Sequence, residues 1–143
     1  MKSLPYHGSC FVCGNDNPHS IGVTWFLDEE DGSVFTEFVF TLAQQGPPGC
    51  AHGGALAALL DEAMGAAVWR AGHSVAAVHL EVDYRRTVPL GEKVTVRGRI
   101  TEHGKRKILT GGEVTLADGT MAASGRGVYV EAPHLFGEAF FGH

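Results

Sequence analysis

One segment restricts the possible folds of this sequence more than any other: the apolar run from Ala55 to Ala71, which directly follows the turn-rich residues 46–54. Apolar residues of this run recur at the i, i+3, i+4, i+7 spacing of an amphipathic helix. They are Leu56, Leu59, Leu60, Ala63, Met64, Ala67 and Val68. The opposite side carries small residues, namely Ala57, Ala58, Gly65 and Ala66. We therefore expect one long helix that is largely buried.

Two features interrupt this apolar helix. His52-Gly53-Gly54 stands at its start, where backbone N–H groups lack partners within the helix and the helix dipole favours a ligand oxygen. Asp61 and Glu62 place charge inside the apolar run. The neighbours of Asp61 at i−4, i−3 and i+4 are Ala57, Ala58 and Gly65, so its carboxylate is open to another surface and is interpreted as functional. Glu62 is interpreted as a structural or rim carboxylate that could pair with an arginine.

The rest of the chain has the patterns of β-strands. Residues 23–28 and 34–42 predict a hairpin, because both are rich in β-branched and aromatic residues and a turn signal separates them. Residues 76–84 alternate between an apolar face with Ala76 and Val78 and a polar face with Ala77 and His79. Further strands are expected at 93–101, 107–117 and 120–131, which with 76–84 would form a four-stranded antiparallel meander. Strand glycines indicate curvature, as needed to cover a buried helix.

Composition sets the class of protein. The chain has 143 residues, 44% hydrophobic content and a net charge of −5. The length and hydrophobic content predict one domain over residues 1–143. The helix and strand patterns make it α+β, with a lead-in to about residue 20 and a tail from about residue 132. The negative charge argues against nucleic acid as a partner. The start of the chain has no apolar signal segment, and no run is long enough to span a bilayer, so we expect a cytoplasmic protein that does not bind membranes.

The three cysteines are too few for a disulfide framework. Cys10 and Cys13 form a C-x-x-C motif with His7 and His19 close by, which could hold zinc, but no second ligand pair of comparable spacing follows. A redox pair is disfavoured because no βαβ pattern surrounds the motif. The sequence thus favours two thiols packed under a turn at residues 14–18, with no metal and no cofactor.

This order of elements resembles the hotdog fold, a curved antiparallel sheet wrapped around one long central helix. The residues Gln45-Gly46-Pro47-Pro48-Gly49-Cys50-Ala51-His52-Gly53-Gly54, with Asp61 nine positions after His52, are similar to the signature of phenylacetate-pathway (PaaI-like) acyl-CoA thioesterases. Val82-Asp83-Tyr84-Arg85-Arg86, Pro89-Leu90-Gly91 and the Cys-x-x-Cys-Gly lead-in with Asn17-Pro18 also resemble this family. The resemblance covers most of residues 10–131 and implies hydrolysis of an acyl-CoA thioester.

The resemblance also implies roles for the motif residues. The Gly53 N–H would hold the oxyanion and Gly54 would allow close approach. Asp61 would be the general base for water or would attack directly to form an anhydride. His52 would orient the loop or polarise the carbonyl, and Gln45 would add a polar contact.

Helix geometry separates the two proposed catalytic groups of one chain, and the resemblance implies that a dimer brings them together. Asp61 lies seven residues beyond Gly54, roughly 10 Å along the axis, whereas a reacting carboxylate must lie within about 3–3.5 Å of the carbonyl carbon or one water away. One chain should therefore not supply both groups to one thioester. In the family, a homodimer places the helix N-terminus of one subunit and the Asp of the other at each substrate. A dimer of dimers is also compatible with this arrangement.

Several further positions are assigned to substrate binding. Ala77 stands where several family members carry a Ser or Thr that positions water, so His79 or a hydroxyl from elsewhere could take over this role, or activity could be weak. The basic pairs Arg85-Arg86 and Lys105-Arg106 could contact the nucleotide phosphates of coenzyme A. Two alternatives remain. A non-catalytic acyl- or CoA-binding hotdog domain is favoured by Ala77. A hotdog dehydratase or hydratase is disfavoured, because it needs a His and an acidic residue at one substrate and this sequence has the His-Gly-Gly motif instead.

Overall fold

A computed structural model describes residues 2–5 and 8–135. Its elements in chain order are β1 (Lys2–Ser3), β2 (Phe26–Leu27), β3 (Val34–Val39), a 3₁₀ turn (Leu42–Gln44), α1 (Gly53–Arg70), β4 (Val75–Tyr84), β5 (Lys93–His103), β6 (Lys107–Thr115), β7 (Met121–Glu131) and a second 3₁₀ turn (Pro133–Leu135). One helix therefore packs against one antiparallel sheet, as the sequence predicted. In the described part of the chain, no helix is long and apolar enough to cross a membrane.

The helix α1 has the predicted buried stripe. All seven residues of the stripe are buried, and Ala66 is buried with them. The helix begins at Gly53, two residues before the predicted start, because His52 is the N-cap with extended backbone angles (φ −66°, ψ 136°). The two glycines of the motif thus belong to the first turn of α1.

The sheet has the strand order β1-β2-β3-β5-β6-β7-β4. The predicted hairpin is present as β2 and β3, but the expected four-stranded meander is wrong, because β4 pairs with β7 rather than with β5. The connection from β4 to β5, residues 85–92, is too long for a tight turn. Its backbone bonds to the far side of the sheet, where the Gly91 N–H donates to the Phe40 carbonyl at 3.0 Å. The chain therefore crosses the end of the sheet and enters β5 beside β3.

A β-bulge in β4 makes the predicted alternation of its two faces wrong at Ala77. Ala77 pairs with Tyr129 and His79 pairs with Val128, so Val78 is an extra residue on this strand. Directly opposite residues share a face. Ala77 therefore lies on the face of the buried Tyr129, toward the helix, and not on the face of His79 as the simple alternation predicted.

Two further features of the sheet position the site. A Cβ atom at Gly98 in β5 would lie 2.5 Å from the carbonyl carbon of Ala63, so this glycine lets the backbone of α1 touch the sheet. The strand β4 forms an edge of the sheet, and its apolar residues Val78 and Leu80 are 58% and 40% exposed. One long strand thus presents apolar side chains and unpaired backbone groups to its surroundings.

Candidate active site

The N-terminus of α1 offers one backbone donor. The Gly54 N–H donates to Nδ1 of His52 at 2.8 Å, so a neutral His52 carries its proton on Nε2. Within residues 2–5 and 8–135, the Gly53 N–H has no hydrogen-bond partner. The Tyr84 hydroxyl donates to the Gly53 carbonyl at 2.7 Å and fixes this peptide against β4. The Gly53 N–H is therefore held in place and available to a ligand oxygen.

A cavity of about 330 Å³ opens beside this donor. It is lined by Gly53, Leu56 and Tyr84, and by the basic pair Arg85-Arg86. The backbone N–H groups of this pair both donate to the Ala122 carbonyl, at 2.8 and 3.1 Å, while the side chains are exposed. The structure thus brings the predicted oxyanion donor and two predicted phosphate contacts to one cavity.

The second group is the half-buried carboxylate of Asp61 in the middle of α1. The Tyr129 hydroxyl lies 2.7 Å from its Oδ1 and 2.8 Å from its backbone oxygen. Burial of the Tyr129 ring, and then the negative charge of Asp61, raise the pKa of this phenol far above its ordinary value. Tyr129 therefore stays protonated and donates to the carboxylate.

Sequence reasoning missed Tyr129, which contacts a residue 68 positions away. A signal was present in β7, where Gly127 lies two residues before it on the same face. A Cβ at Gly127 would lie 2.9 Å from the Tyr129 ring, so this glycine makes room for the phenol. A tyrosine beside glycines on an inward strand face indicates a ring that packs over them.

The other predicted residues have different surroundings. Ala77 pairs with Tyr129 and so lies beside the Asp61 group. His79 is on the opposite face, with Nε2 3.0 Å from Glu81, and this hydrogen bond and then the Arg126 charge lower the pKa of Glu81. His79 is therefore not placed to replace a hydroxyl at position 77.

The loop residue and the second basic pair lie apart from these groups. Gln45 accepts a hydrogen bond from the Gly49 N–H at 2.9 Å and, with His52, lines another cavity of about 520 Å³. Lys105 and Arg106 are exposed in the turn between β5 and β6. This turn is at the opposite end of the sheet from Arg85-Arg86, because Lys107 aligns through Val130 with the start of β4. Within one chain, the two basic pairs therefore do not lie at the same site.

The C-x-x-C motif packs against α1. Cys10 begins a turn that the Gly14 N–H closes by donating to the Cys10 carbonyl at 2.9 Å. The Sγ atoms of Cys13 and Cys10 lie 3.1 and 3.7 Å from Oε2 of Glu62, and neither cysteine is in a disulfide. The sequence offered no sign that Glu62 meets these thiols. Of the two histidines near the motif, His19 is exposed and His7 lies outside the described residues.

Comparisons with known proteins agree with this architecture. The family model for the thioesterase superfamily matches residues 48–123. Acyl-coenzyme A thioesterase THEM4 from Xenopus laevis is 34% identical over 93 residues, which are 64% of this chain and 39% of that protein. The chain therefore spans well under half the length of this curated relative.

Solved structures give the same result. The crystal structure of a thioesterase superfamily protein matches with a TM-score of 0.80 and 35% identity, covering 85% of this chain and 62% of the other. A variant of phenylacetic acid degradation protein PaaI from Thermus thermophilus matches with a TM-score of 0.67 and 25% identity, covering 75% of this chain and 90% of the other. The predicted hotdog fold and the resemblance to PaaI proteins are confirmed.

Proposed function

The chain belongs to the thioesterase superfamily, and we propose that it hydrolyses the thioester of an acyl-coenzyme A to the free acid and coenzyme A. The observation that carries the proposal is Asp61, a half-buried carboxylate in the middle of a largely apolar helix, whose Oδ1 accepts a hydrogen bond from the buried Tyr129 hydroxyl. The name of the curated relative, an acyl-coenzyme A thioesterase, supports the substrate class.

The chemistry needs one donor and one base. Because His52 occupies the Gly54 N–H, the Gly53 N–H is the donor that receives the developing oxyanion, aided by the helix dipole. Asp61 takes a proton from water, and the resulting hydroxide attacks the carbonyl carbon. The tetrahedral intermediate then expels the thiolate of coenzyme A, a good leaving group that needs no strong acid. Direct attack by Asp61, followed by hydrolysis of the anhydride, is the second route.

The two groups meet across a dimer. On one chain, Gly53 and Asp61 are eight residues apart, about 12 Å along the helix axis. Along β4, however, Ala77 lies beside Asp61, because Ala77 pairs with Tyr129 and the Tyr129 hydroxyl donates to Asp61. Tyr84 lies beside Gly53, because its hydroxyl donates to the Gly53 carbonyl. If two β4 strands pair antiparallel about an axis through position 81, with the bulged Val78 left out of the register of each strand, Ala77 of one copy stands opposite Tyr84 of the other. Each site then combines Asp61 of one chain with Gly53 of the other.

The exposed edge is suited to this pairing. Residues 77–81 form a continuous exposed run, and long exposed edge strands are templates for pairing with another chain. The same axis brings the end of the sheet with Lys105-Arg106 to the side of Arg85-Arg86 on the second copy. Both basic pairs would then serve one coenzyme A nucleotide. The association of two such dimers into a tetramer stays a prediction, and so does the cytoplasmic location.

A non-catalytic acyl- or CoA-binding domain is the second candidate. The observation that favours it is Ala77, which lies beside the Asp61 and Tyr129 pair and offers no hydroxyl to position water. Binding without turnover is the property that separates it from the hydrolase.

The test measures free thiol release from short, medium, long and aromatic acyl-CoAs, together with coenzyme A binding by calorimetry. We expect Asp61→Asn to lose ~10²–10⁴-fold in kcat while it still binds coenzyme A. The matched control is Asp83→Asn, the same chemical change at an exposed position on the other face of β4, which should leave turnover unchanged. Turnover by Asp61→Asn at the wild-type rate would refute the role of this carboxylate. Binding without release by the wild type would select the second candidate.

A further inference from the structure

A cluster of potential metal ligands lies between the lead-in loop and the centre of α1. It consists of the Sγ atoms of Cys10 and Cys13 and a carboxylate oxygen of Glu62, and these three atoms all lie within 4.8 Å of one another. Cys13 is only 2% exposed, and the other two residues are half-buried. We propose that these three side chains bind Zn²⁺ and that the ion ties residues 10–13 to the helix.

The separations fit a tetrahedral ion. With Zn–S bonds of about 2.3 Å and a Zn–O bond of about 2.1 Å, a tetrahedral site places sulfur and oxygen ~3.6 Å apart. The observed distances from Oε2 of Glu62 are 3.7 Å to Cys10 and 3.1 Å to Cys13. The larger deviation of these two separations is about 0.5 Å, and the third separation, between the two sulfur atoms, is within 4.8 Å, compared with ~3.8 Å in a tetrahedral site. Small torsional changes of the cysteine side chains bring the three atoms to these distances.

The backbone of the loop is already shaped for this role. The Val12 N–H donates to Sγ of Cys10 at 3.4 Å, a contact of the kind that surrounds metal-bound sulfur. The Gly14 N–H closes the turn on the Cys10 carbonyl, and a Cβ at Gly14 would lie 2.2 Å from the Cys10 nitrogen. Only glycine fits there, so the turn that directs both sulfurs to the same side depends on the residue that follows the motif.

The donor set selects the class of metal. Two thiolates with one carboxylate favour a borderline-soft divalent cation such as zinc over magnesium or calcium, which prefer oxygen donors. The combined charge of these three ligands is about −3, which a divalent cation largely offsets. Without a metal, the same contacts are those of protonated thiols that donate to the carboxylate.

The position of Glu62 assigns the ion a structural role, with water as the fourth ligand of the tetrahedron. Cys13 and Glu62 are 49 residues apart, so the ion closes a long loop of chain, which is where such a clip is most effective. Glu62 also directly follows Asp61 on α1. The ion thus fixes the helical turn that carries the proposed base, without itself contacting the substrate.

The experiment measures metal content of the full chain, expressed in zinc-supplemented medium and purified without chelator, by mass spectrometry of the elements. We expect about one Zn²⁺ per wild-type chain and a strong loss in Cys13→Ser and Glu62→Gln. The control is Cys50→Ser, which removes a cysteine outside the cluster and should retain the metal. Removal of the ion from the wild type by a chelator should lower Tm by on the order of 10 °C.

A second measurement avoids variants that fold poorly. Wild-type protein loaded with Co²⁺ should show a thiolate-to-cobalt charge-transfer band in the near ultraviolet. A wild type that takes up neither zinc nor cobalt would overturn the proposal, as would full zinc content in Cys13→Ser. A Cys10–Cys13 disulfide found by mass spectrometry in freshly purified protein would overturn it in favour of a redox pair. Because the readouts are metal content and absorption, the result is independent of whether the protein hydrolyses thioesters.

Discussion

The sharpest test of the oxyanion donor is Gly53→Pro, which deletes one N–H group and little else. Gly53 is the first residue of α1, a position where proline is well tolerated because its missing N–H has no partner within the helix. The preceding residue, His52, has φ −66° and ψ 136°, which lies in the extended region that a residue before proline prefers. We therefore expect the variant to fold with nearly unchanged stability.

The expected loss is confined to catalysis. Loss of one oxyanion donor typically lowers kcat by ~10²–10³, or about 2.7–4 kcal/mol of transition-state stabilisation. The control is Gly53→Ala, which keeps the N–H and adds a Cβ 3.4 Å from the Tyr84 ring, an ordinary contact. Thiol release by the two variants, with unfolding monitored by circular dichroism, separates the missing donor from the added bulk. Wild-type kcat in a folded Gly53→Pro protein would refute the assignment of this N–H.

The same variant tests the shared site. If each site combines Gly53 of one chain with Asp61 of the other, a mixed dimer of Gly53→Pro and Asp61→Asn contains one fully wild-type site. Random exchange of equal amounts of the two inactive proteins should restore about a quarter of wild-type activity, because half of the dimers are mixed and each has one intact site of two. A mixture that stays inactive after verified subunit exchange would contradict the shared site.

Three further sets of variants test the Tyr129 hydroxyl, the packing of α1 and the basic pair at the cavity. Tyr129→Phe should lower kcat by ~10–10² with little change in KM, because the carboxylate proposed as base loses the hydroxyl that positions it; a wild-type rate would show that this hydrogen bond is not needed. Gly98→Ala should lower the free energy of unfolding in urea by ~1–3 kcal/mol, because its Cβ would clash with the backbone of α1. Gly65→Ala should raise it by up to ~1 kcal/mol, because alanine favours the helix and its Cβ would lie 3.5 Å from the Tyr129 ring, an ordinary contact. Arg85→Ala with Arg86→Ala should raise KM about 5-fold for acyl-CoA but not for a truncated thioester without the nucleotide, and equal effects on both would exclude phosphate contacts.

The features that were predictable from sequence are those with a local pattern. The buried stripe of α1 repeats every turn, and the short turns around Gly104 and Asp118-Gly119 mark two hairpins, so these elements were predicted correctly. The bulge at Val78 has no local mark, because valine suits a regular strand as well as a bulge. One extra residue was enough to exchange the faces of Ala77 and its neighbours.

The features that sequence reasoning missed are contacts between distant segments. The choice between β5 and β7 as the partner of β4 depends on where residues 85–92 cross, and that segment has turn residues but no periodic pattern. Tyr129 and Glu62 were missed as partners for the same reason, since their contacts span 68 and 49 residues. The sequence showed that Asp61 is an unusual residue for a buried, largely apolar helix. Only the strand topology shows that the Tyr129 hydroxyl is the hydrogen-bond donor to its carboxylate.

The two neighbouring carboxylates of α1 show why Asp61 is the better candidate for the base. Successive helical residues point about 100° apart, so Asp61 turns to Tyr129 while Glu62 turns to the thiols of the lead-in loop. Both cysteines contact the same oxygen of Glu62, whereas Tyr129 donates to Oδ1 of Asp61 and Oδ2 has no hydrogen-bond partner among the described residues. A neutral phenol that donates one proton holds a carboxylate in place without neutralising it. Asp61 is thus fixed through one oxygen and can receive a proton through the other, which is what general-base catalysis requires of a half-buried carboxylate.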